Sequence, residues 1–480
     1  MISFVEQLAL LAEAAPDSVA VACADDLLTR ADLQRRAGDL AVHLDGLGVG
    51  EGDLVTIALP NGTEWFVAVT ACWRLGAVPQ PVSSRLPRPE LVAIIALADP
   101  PVVLGVDPGS LPGRACLPVG FVAPPSDATR LPARVSPAWK APTSGGSTGR
   151  PKLIVSGDPA MLDPGARPPL LMDPGGCLVM PGPLYHNGPL VWSCQALLHG
   201  LSVALLPRFD PEATLAAIER RRATVAYMVP TMMKRILRLP DEVRLGYDLS
   251  SLRIVWHLAE PCPEWLKQAW IDWLGPERIW ELYAGTEGQT STIISGTEWL
   301  AHRGSVGRVQ PGTVMVTDAD GHEAAPGTMG EVWLRSLRDT PTYRYVGADA
   351  RVREGGWESL GDMGRLDEEG YLYLGDRSSD MILSGGANIY PAEIESVLQE
   401  HPAVASCAVI GLPDEDRGNV VHAIVEADPA VVAPDDLVAW LSARLVAYKV
   451  PRTWEFTEVP LRDDSGKVRR SALRAERTGG

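Results

Sequence analysis

The sequence predicts an α/β fold in which a large N-terminal part of helix-covered, mainly parallel sheets carries a β-rich subdomain and is followed by a small α+β domain. Three observations predict it. Helices and short apolar strands alternate at close spacing through the first 280 residues, the rhythm of a parallel sheet covered by helices. From about residue 305 short strands alternate with Gly-containing turns such as Glu369-Gly370. Beyond Gly375 the texture changes again, to helix, strand, strand, helix, strand, enough chain for a core of its own.

The elements follow in order. Residues 31–47 place Leu33, Ala37, Leu40, Ala41, Leu44 and Leu47 on one helical face, with Thr29 and Asp32 as cap and Gly48 as stop. Val55, Ile57 and Leu59 alternate as a strand, Asn61-Gly62 turns into a helix through Arg74, and Val78 begins another extended piece. After a glycine-rich stretch, strands are predicted at 201–206, 224–228, 252–256 and 278–282, with helices at 211–222 and 263–274 between them. The last of these strands runs into Tyr283-Ala284-Gly285-Thr286-Glu287-Gly288. Ligands of open α/β sheets bind beyond the carboxyl ends of strands, so a site is expected in this loop. The β-rich region has strands at 331–335 and 371–374. The tail has helices at 391–400 and 435–446 and strands at 404–410, 419–426 and 453–457. The boundary is placed near 376–380, dividing the chain into 1–376 and 377–480.

Size and composition exclude several classes. At 480 residues, 46% hydrophobic and 21% charged, the chain is that of a globular enzyme of two or three domains. A net charge of −17 argues against a nucleic-acid partner. The seven cysteines are scattered and form no CxxC pair, which excludes a zinc cluster and fits a reducing, cytoplasmic compartment. Glu6 and Glu13 interrupt the apolar N-terminus, so no signal peptide is expected, and Gln195, His199 and Gly200 interrupt the most apolar segment, so no membrane span is expected. Monomer and homodimer both stay open.

The chemistry begins at Thr143-Ser144-Gly145-Gly146-Ser147-Thr148-Gly149-Arg150-Pro151-Lys152. Glycines let backbone N–H groups close around an anion, and the hydroxyls and cations add donors for phosphate oxygens. A Ser/Gly surface linker is the other reading. The stretch is not a P-loop, because Gly149 is followed by Arg150-Pro151-Lys152 and an apolar strand, where that motif needs Gly-Lys-Ser/Thr and a helix.

Other candidates are individually ordinary. Thr286-Glu287 offers a hydroxyl for phosphate and a carboxylate for Mg²⁺, and is equally a common helix start. Asp362 and Arg377 offer an acceptor and a donor for ribose hydroxyls, though glycine-flanked Asp usually marks a turn. His186, between turn formers, reads more often as a structural histidine than as a functional one. Lys467, in a basic run after Ser465-Gly466, has Lys152 and Lys449 as rivals for a catalytic lysine.

Their order along the chain is specific. The series Thr143–Lys152, Tyr185-His186, Tyr283–Glu287, Gly361-Asp362, Gly375-Asp376-Arg377, Asp380-Met381-Ile382, Ser384–Pro391 and Tyr448–Arg452 to Gly466-Lys467 resembles the adenylate-forming superfamily over essentially the whole chain. That group holds acyl-CoA synthetases, peptide-synthetase adenylation domains and beetle luciferases.

The resemblance implies that a carboxylate attacks the α-phosphate of Mg·ATP to give acyl-AMP and pyrophosphate, and that a thiol, CoA foremost, then displaces AMP. It implies that Thr143 to Lys152 hold the β- and γ-phosphates, that Thr286 contacts the α-phosphate and that Glu287 binds Mg²⁺. Tyr283, with Ala284 and Gly285 after it, packs on the adenine, which Ala259-Glu260-Pro261 flank. Asp362 and Arg377 hold the ribose, and Lys467 bridges carboxylate and α-phosphate. A mobile C-terminal domain then rotates, replacing Lys467 with the loop at Gly385-Gly386 as a pantetheine channel. His186, Gly188, Trp192, Met228 and Gly285 are assigned to the acid pocket, and His186 is also counted with Lys467, Thr286 and Glu287 as a catalytic residue.

Three positions depart from the family pattern: Leu383 where Lys is frequent, Ser379 where the hinge is often Asp or Lys, and Ala387 where Glu is common. None removes a catalytic group. No Asp lies between Asp173 and Asp210 to pair with a substrate ammonium, which disfavours an amino acid. The phrases Tyr185–Pro189, Leu258–Pro261 and Gly304–Gly307 lean toward actinobacterial ligases for bulky polycyclic acids, such as steroid, bile or terpenoid acids. Two alternatives stand beside the CoA ligase: loading of a carrier-protein phosphopantetheine, and non-catalytic binding of an acyl-adenylate.

Overall fold

The computed structural model describes residues 1–145, 151–310, 312–377, 380–384, 387–414, 418–462 and 466–478. Its centre is a nine-stranded sheet in which Ile279–Ala284, Ile254–Leu258, Val225–Met228, Cys177–Met180, Ser202–Leu205 and Val19–Cys23 run parallel. Antiparallel strands close both edges. Apart from Ile279–Ala284, the parallel strands are buried on both faces, which is why they read as continuous apolar runs and not as alternating ones.

The helix Arg30–Gly46 begins where the sequence places it. The Thr29 side chain accepts from Asp32 N, and Leu33, Ala37, Leu40, Ala41 and Leu44 face the core. A second, four-stranded parallel sheet holds Val78–Pro81, Leu54–Ile57, Val102–Leu104 and Ala115–Leu117. The glycine-rich stretch departs from a simple loop. Thr143–Gly145 and Pro151–Ser156 form an antiparallel hairpin, and Tyr343–Val346 adds to its other edge.

The β-rich subdomain is a six-stranded sheet between Thr313 and Arg377. The C-terminal part closes a core of its own. Ile394 and Leu398 of the helix Pro391–Glu400 and Leu437 and Leu441 of Pro434–Ser442 pack on Val409, Val421, Ala423 and Val425 of its strands. The helix expected to run to 446 ends at Ser442, where the Arg444 and Leu445 N–H groups both turn back onto the Leu441 carbonyl.

This domain docks on the helix Pro230–Leu237. Lys234 Nζ donates to the carbonyls of Val404 at 3.4 Å and Ala405 at 3.3 Å, and Arg238 donates to Val404 at 2.7 Å. Among the described residues no helix is long and apolar enough to cross a membrane.

Candidate active site

The site forms at the carboxyl ends of the central parallel strands, where the phosphate hairpin, the loop after Ala284 and the C-terminal domain converge. Hairpin register puts Ser144 opposite Lys152 and Thr143 opposite Leu153. Thr143 is tied down from the second sheet: Gln80 Nε2 donates to its Oγ1 at 2.7 Å, and Thr56 donates to Gln80 Oε1 at 2.6 Å. Gln80 and Thr56 are fully buried. Because Thr143 Oγ1 accepts in this chain, its own proton remains available for donation to another group. Gly146, Ser147, Thr148 and Gly149 lie outside the described residues.

Glu287 is 6% exposed. Its Oε1 accepts from the Tyr345 hydroxyl at 2.5 Å and lies 3.5 Å from Lys152 Nζ, which itself sits 3.8 Å above the centre of the Tyr345 ring. Burial, reinforced by the Glu287 charge, drives the Tyr345 hydroxyl well above its ordinary range, so it acts as a donor. Beside it, Tyr343 and Gln289 both donate to Glu358. Gly285 lets the loop pack closely here, since a side chain at 285 would displace the ends of the Leu360 and Glu287 side chains. Thr286 is partly exposed on the same loop.

Two of the nucleotide candidates are in direct contact and a third lies across the strand from one of them. The Tyr283 hydroxyl donates to Asp362 at 2.7 Å, and Asp362 is the cross-strand partner of Arg377. At the end of the strand Ile254–Leu258, Ala259 adopts φ +72°, a left-handed conformation costly for a residue with a Cβ. Glu260 beside it accepts from the Thr231 hydroxyl at 2.8 Å and lies 3.9 Å from Arg462. Under this loop, Lys267 and Glu281 form a buried ion pair at 2.6 Å, and burial with the Lys267 charge holds His257 well below the ordinary imidazole range.

The C-terminal domain reaches the same loop. Gly466, at φ +83°, packs so closely on the Glu260 carboxylate that a side chain there would overlap it, and the Gly466 carbonyl accepts from Arg462 at 2.7 Å. Lys467 is the next residue after this contact with Glu260, which is a candidate to flank the adenine. Lys449, one rival for its role, is held by Glu393 at 2.6 Å within its own domain, and Lys152 by the Glu287 cluster. Gly385, Gly386 and Ser379 lie outside the described residues. Ala387 pairs with Ser384 across a two-stranded ribbon, and Leu383 on that ribbon is exposed.

The acid-pocket candidates are distributed less simply. His186 precedes the helix Asn187–Leu198 and packs on Tyr185 at 4.3 Å between ring centres. The room at Gly188 is filled by the Tyr227 hydroxyl. Trp192 packs edge-on against Tyr227 and Trp256, and both Trp192 and Met228 belong to the main core. Beneath His186 lies a residue that sequence reasoning missed. Lys140 is 8% exposed and donates to Asn187 Oδ1 at 2.5 Å. Burial pulls its ammonium down from 10.5 to about 8, and the Glu287 charge opposes that fall. A lysine within the otherwise apolar Pro137-Ala138-Trp139-Lys140-Ala141-Pro142 was the available signal.

Comparison with known proteins agrees with this geometry. Residues 9–343 match the AMP-binding enzyme family and residues 393–467 its AMP-binding enzyme C-terminal domain. The chain is 33% identical over 479 residues to a feruloyl-CoA synthase of Amycolatopsis sp, covering 96% of each. It is 32% identical to an indoleacetate–CoA ligase of Aromatoleum aromaticum, covering 96% of this chain and 95% of that one. The o-succinylbenzoate CoA synthetase of Bacillus subtilis, solved in complex with its acyl-adenylate intermediate, superposes with a TM-score of 0.82 at 25% identity, covering 98% of this chain and 97% of that chain. The chain belongs to the AMP-binding, adenylate-forming enzyme family.

Proposed function

We propose that the chain is an ATP-dependent carboxylic acid–CoA ligase. In the first step a carboxylate oxygen attacks the α-phosphorus of ATP, the bond to pyrophosphate breaks, and acyl-AMP forms. In the second the CoA sulfur attacks the acyl carbonyl, the bond to AMP breaks and the thiol proton is released. Thr143, Ser144 and Lys152 take the β- and γ-phosphates, Thr286 the α-phosphate, Tyr283 with Glu260 the adenine, and Asp362 with Arg377 the ribose. Lys467 supplies the cation between the two reacting anions, where preplaced charge lowers the barrier most.

The residues fit a magnesium ion. Mg²⁺ commonly takes one or two carboxylates with phosphate oxygens and waters. Glu287 is a buried carboxylate with Oε1 already bonded by Tyr345, which leaves Oε2 for a cation. When bound there, the ion neutralises phosphate charge.

The observation that carries this reading is the placement of Gly466 against Glu260. It supports the reading by setting the neighbour of Lys467, in a separately cored domain, against the loop we assign to the nucleotide. We place the domain boundary at 376/377, so that rotation of the C-terminal domain withdraws Lys467 and admits the Gly385-Gly386 loop for thiol transfer.

We read the acid as apolar, ring-bearing and without an ammonium group, a class that includes polycyclic steroid, bile and terpenoid acids. The relatives named for ferulate and indoleacetate support a ring-bearing acid. Unpaired cysteines throughout support the cytoplasm as the compartment.

Pyrophosphate release across a panel of such acids, with and without CoA, tests the proposal. Thioester formation with CoA is expected. Acyl-AMP without thioester would instead indicate a carrier-protein acceptor, and no turnover with any acid a non-catalytic adenylate-binding protein.

A further inference from the structure

Lys140 is a buried cation whose surroundings do not account for it. Its backbone is pinned, the carbonyl accepting from Ser156 N at 3.0 Å. Its ammonium sits at the first residue of the helix Asn187–Leu198, the end where a cation is disfavoured by the helix dipole. Among the described residues its one hydrogen-bond partner is the neutral amide oxygen of Asn187, and no carboxylate lies within ion-pair distance. The Trp139 ring lies 5.1 Å away. An ammonium has three donors to satisfy. A buried charge without a counter-charge costs far more than an apolar residue of the same volume, so a structural role would be better met by Met or Leu.

The location supplies a reason for the charge. Lys140 stands three residues before the hairpin that begins at Thr143, its anchor Asn187 follows His186, and the carboxylate charges that act on it are those of Glu287 and Asp158. Lys152 approaches Glu287 from the hairpin side. Among the described residues neither Glu287 nor Asp158 lies within ion-pair distance of Lys140, so its ammonium keeps donors for an anionic ligand.

We propose that Lys140 is a further binding residue of the site, whose ammonium, anchored by Asn187, receives an anionic oxygen of a bound reactant. That oxygen belongs either to the acid's carboxylate or to an ATP phosphate. The inference rests on the ligase reading for the identity of the reactants.

The test uses the full chain with Lys140→Met, Lys140→Arg and Asn187→Asp. Mg·ATP binding is measured by calorimetry, and the acid's KM by pyrophosphate release. Losing one charge-assisted hydrogen bond weakens binding about tenfold to a hundredfold. Lys140→Met is expected to show this for one reactant: a loss confined to Mg·ATP assigns the phosphate, and a loss confined to the acid assigns its carboxylate. Lys140→Arg should recover most of it. Asn187→Asp, which supplies the missing counter-charge without removing the lysine, should weaken the same reactant even if Lys140→Met fails to fold. Unchanged affinity for both reactants in Lys140→Met, or in Asn187→Asp where Lys140→Met does not fold, overturns the proposal. So does an equal deficit in Lys140→Met and Lys140→Arg. Wild-type binding of Mg·ATP without turnover of any acid would overturn the ligase reading instead, while the calorimetric arm still decides whether Lys140 meets a phosphate.

Discussion

The Tyr345 hydroxyl donates to Glu287 Oε1 at 2.5 Å, across 58 residues of sequence. This bond fixes the carboxylate assigned to the metal. The same ring carries Lys152 on its face, so one tyrosine orders both a cation and an anion of the proposed phosphate site.

Tyr345→Phe keeps the ring and removes the hydrogen bond. A hydrogen bond to a charged group contributes about 1.5–3 kcal/mol, so the Mg²⁺ concentration for half-maximal pyrophosphate release should rise about tenfold or more. A magnesium titration of the initial rate checks this, and an unchanged midpoint would remove Tyr345 from the site.

Gly466→Val tests the docking of the C-terminal domain. The side chain would overlap the Glu260 carboxylate, and φ +83° disfavours a β-branched residue. Acyl-AMP formation should fall while thioester formation from supplied acyl-AMP is kept. A variant that adenylates normally would show that Gly466 need not approach Glu260 during the reaction.

The contact between Lys234 and the C-terminal domain should depend on pH. Burial foremost, then the Arg238 charge, lowers the Lys234 ammonium from 10.5 to about 7 in the docked arrangement, with Arg462 adding to the fall and Cys407 and Glu426 opposing it. The depressed value means the undocked form binds the proton more tightly. Docking therefore releases a proton between about pH 7 and 10.5, strengthens as pH rises through that window and is flat below it. Energy transfer between labels on the two domains should follow that curve, and Lys234→Met should flatten it. A docked fraction that falls as pH rises from 7 would contradict the assignment.

The Lys267–Glu281 pair beneath Ala259 and Glu260 predicts a stability effect. Glu281→Leu leaves a buried, uncompensated ammonium, and breaking such a pair costs about 3–5 kcal/mol. Chemical denaturation should register that loss, and adding Lys267→Met should restore most of it. Loss of stability below about 1 kcal/mol in the single variant, the scale of an exposed pair, would mean the pair is solvated.

Sequence periodicity carried the fold wherever a local pattern determined burial. The helix Arg30–Gly46 has its cap, stripe and stop within twenty residues, and the parallel strands read as apolar runs because both faces are covered. The site was legible through the order of its motifs, none of which is decisive singly. Its supports were not legible. Gln80 reaches Thr143 from 63 residues away, Tyr345 reaches Glu287 from another sheet, and Lys140 meets Asn187 across 47 residues. Such contacts follow from how sheets pack, which leaves no period in the chain. Gly188 shows a related ambiguity: a small residue signals a close approach, but the structure identifies the approaching group as Tyr227.

The central claim is that Lys467 serves adenylation alone, and separating the half-reactions of Lys467→Ala tests it most directly. Acyl-AMP formation should fall by at least about 10²-fold, the scale of removing one preplaced charge-stabilising donor. Thioester formation from premade acyl-AMP and CoA should be largely retained. Equal loss in both half-reactions would contradict the account.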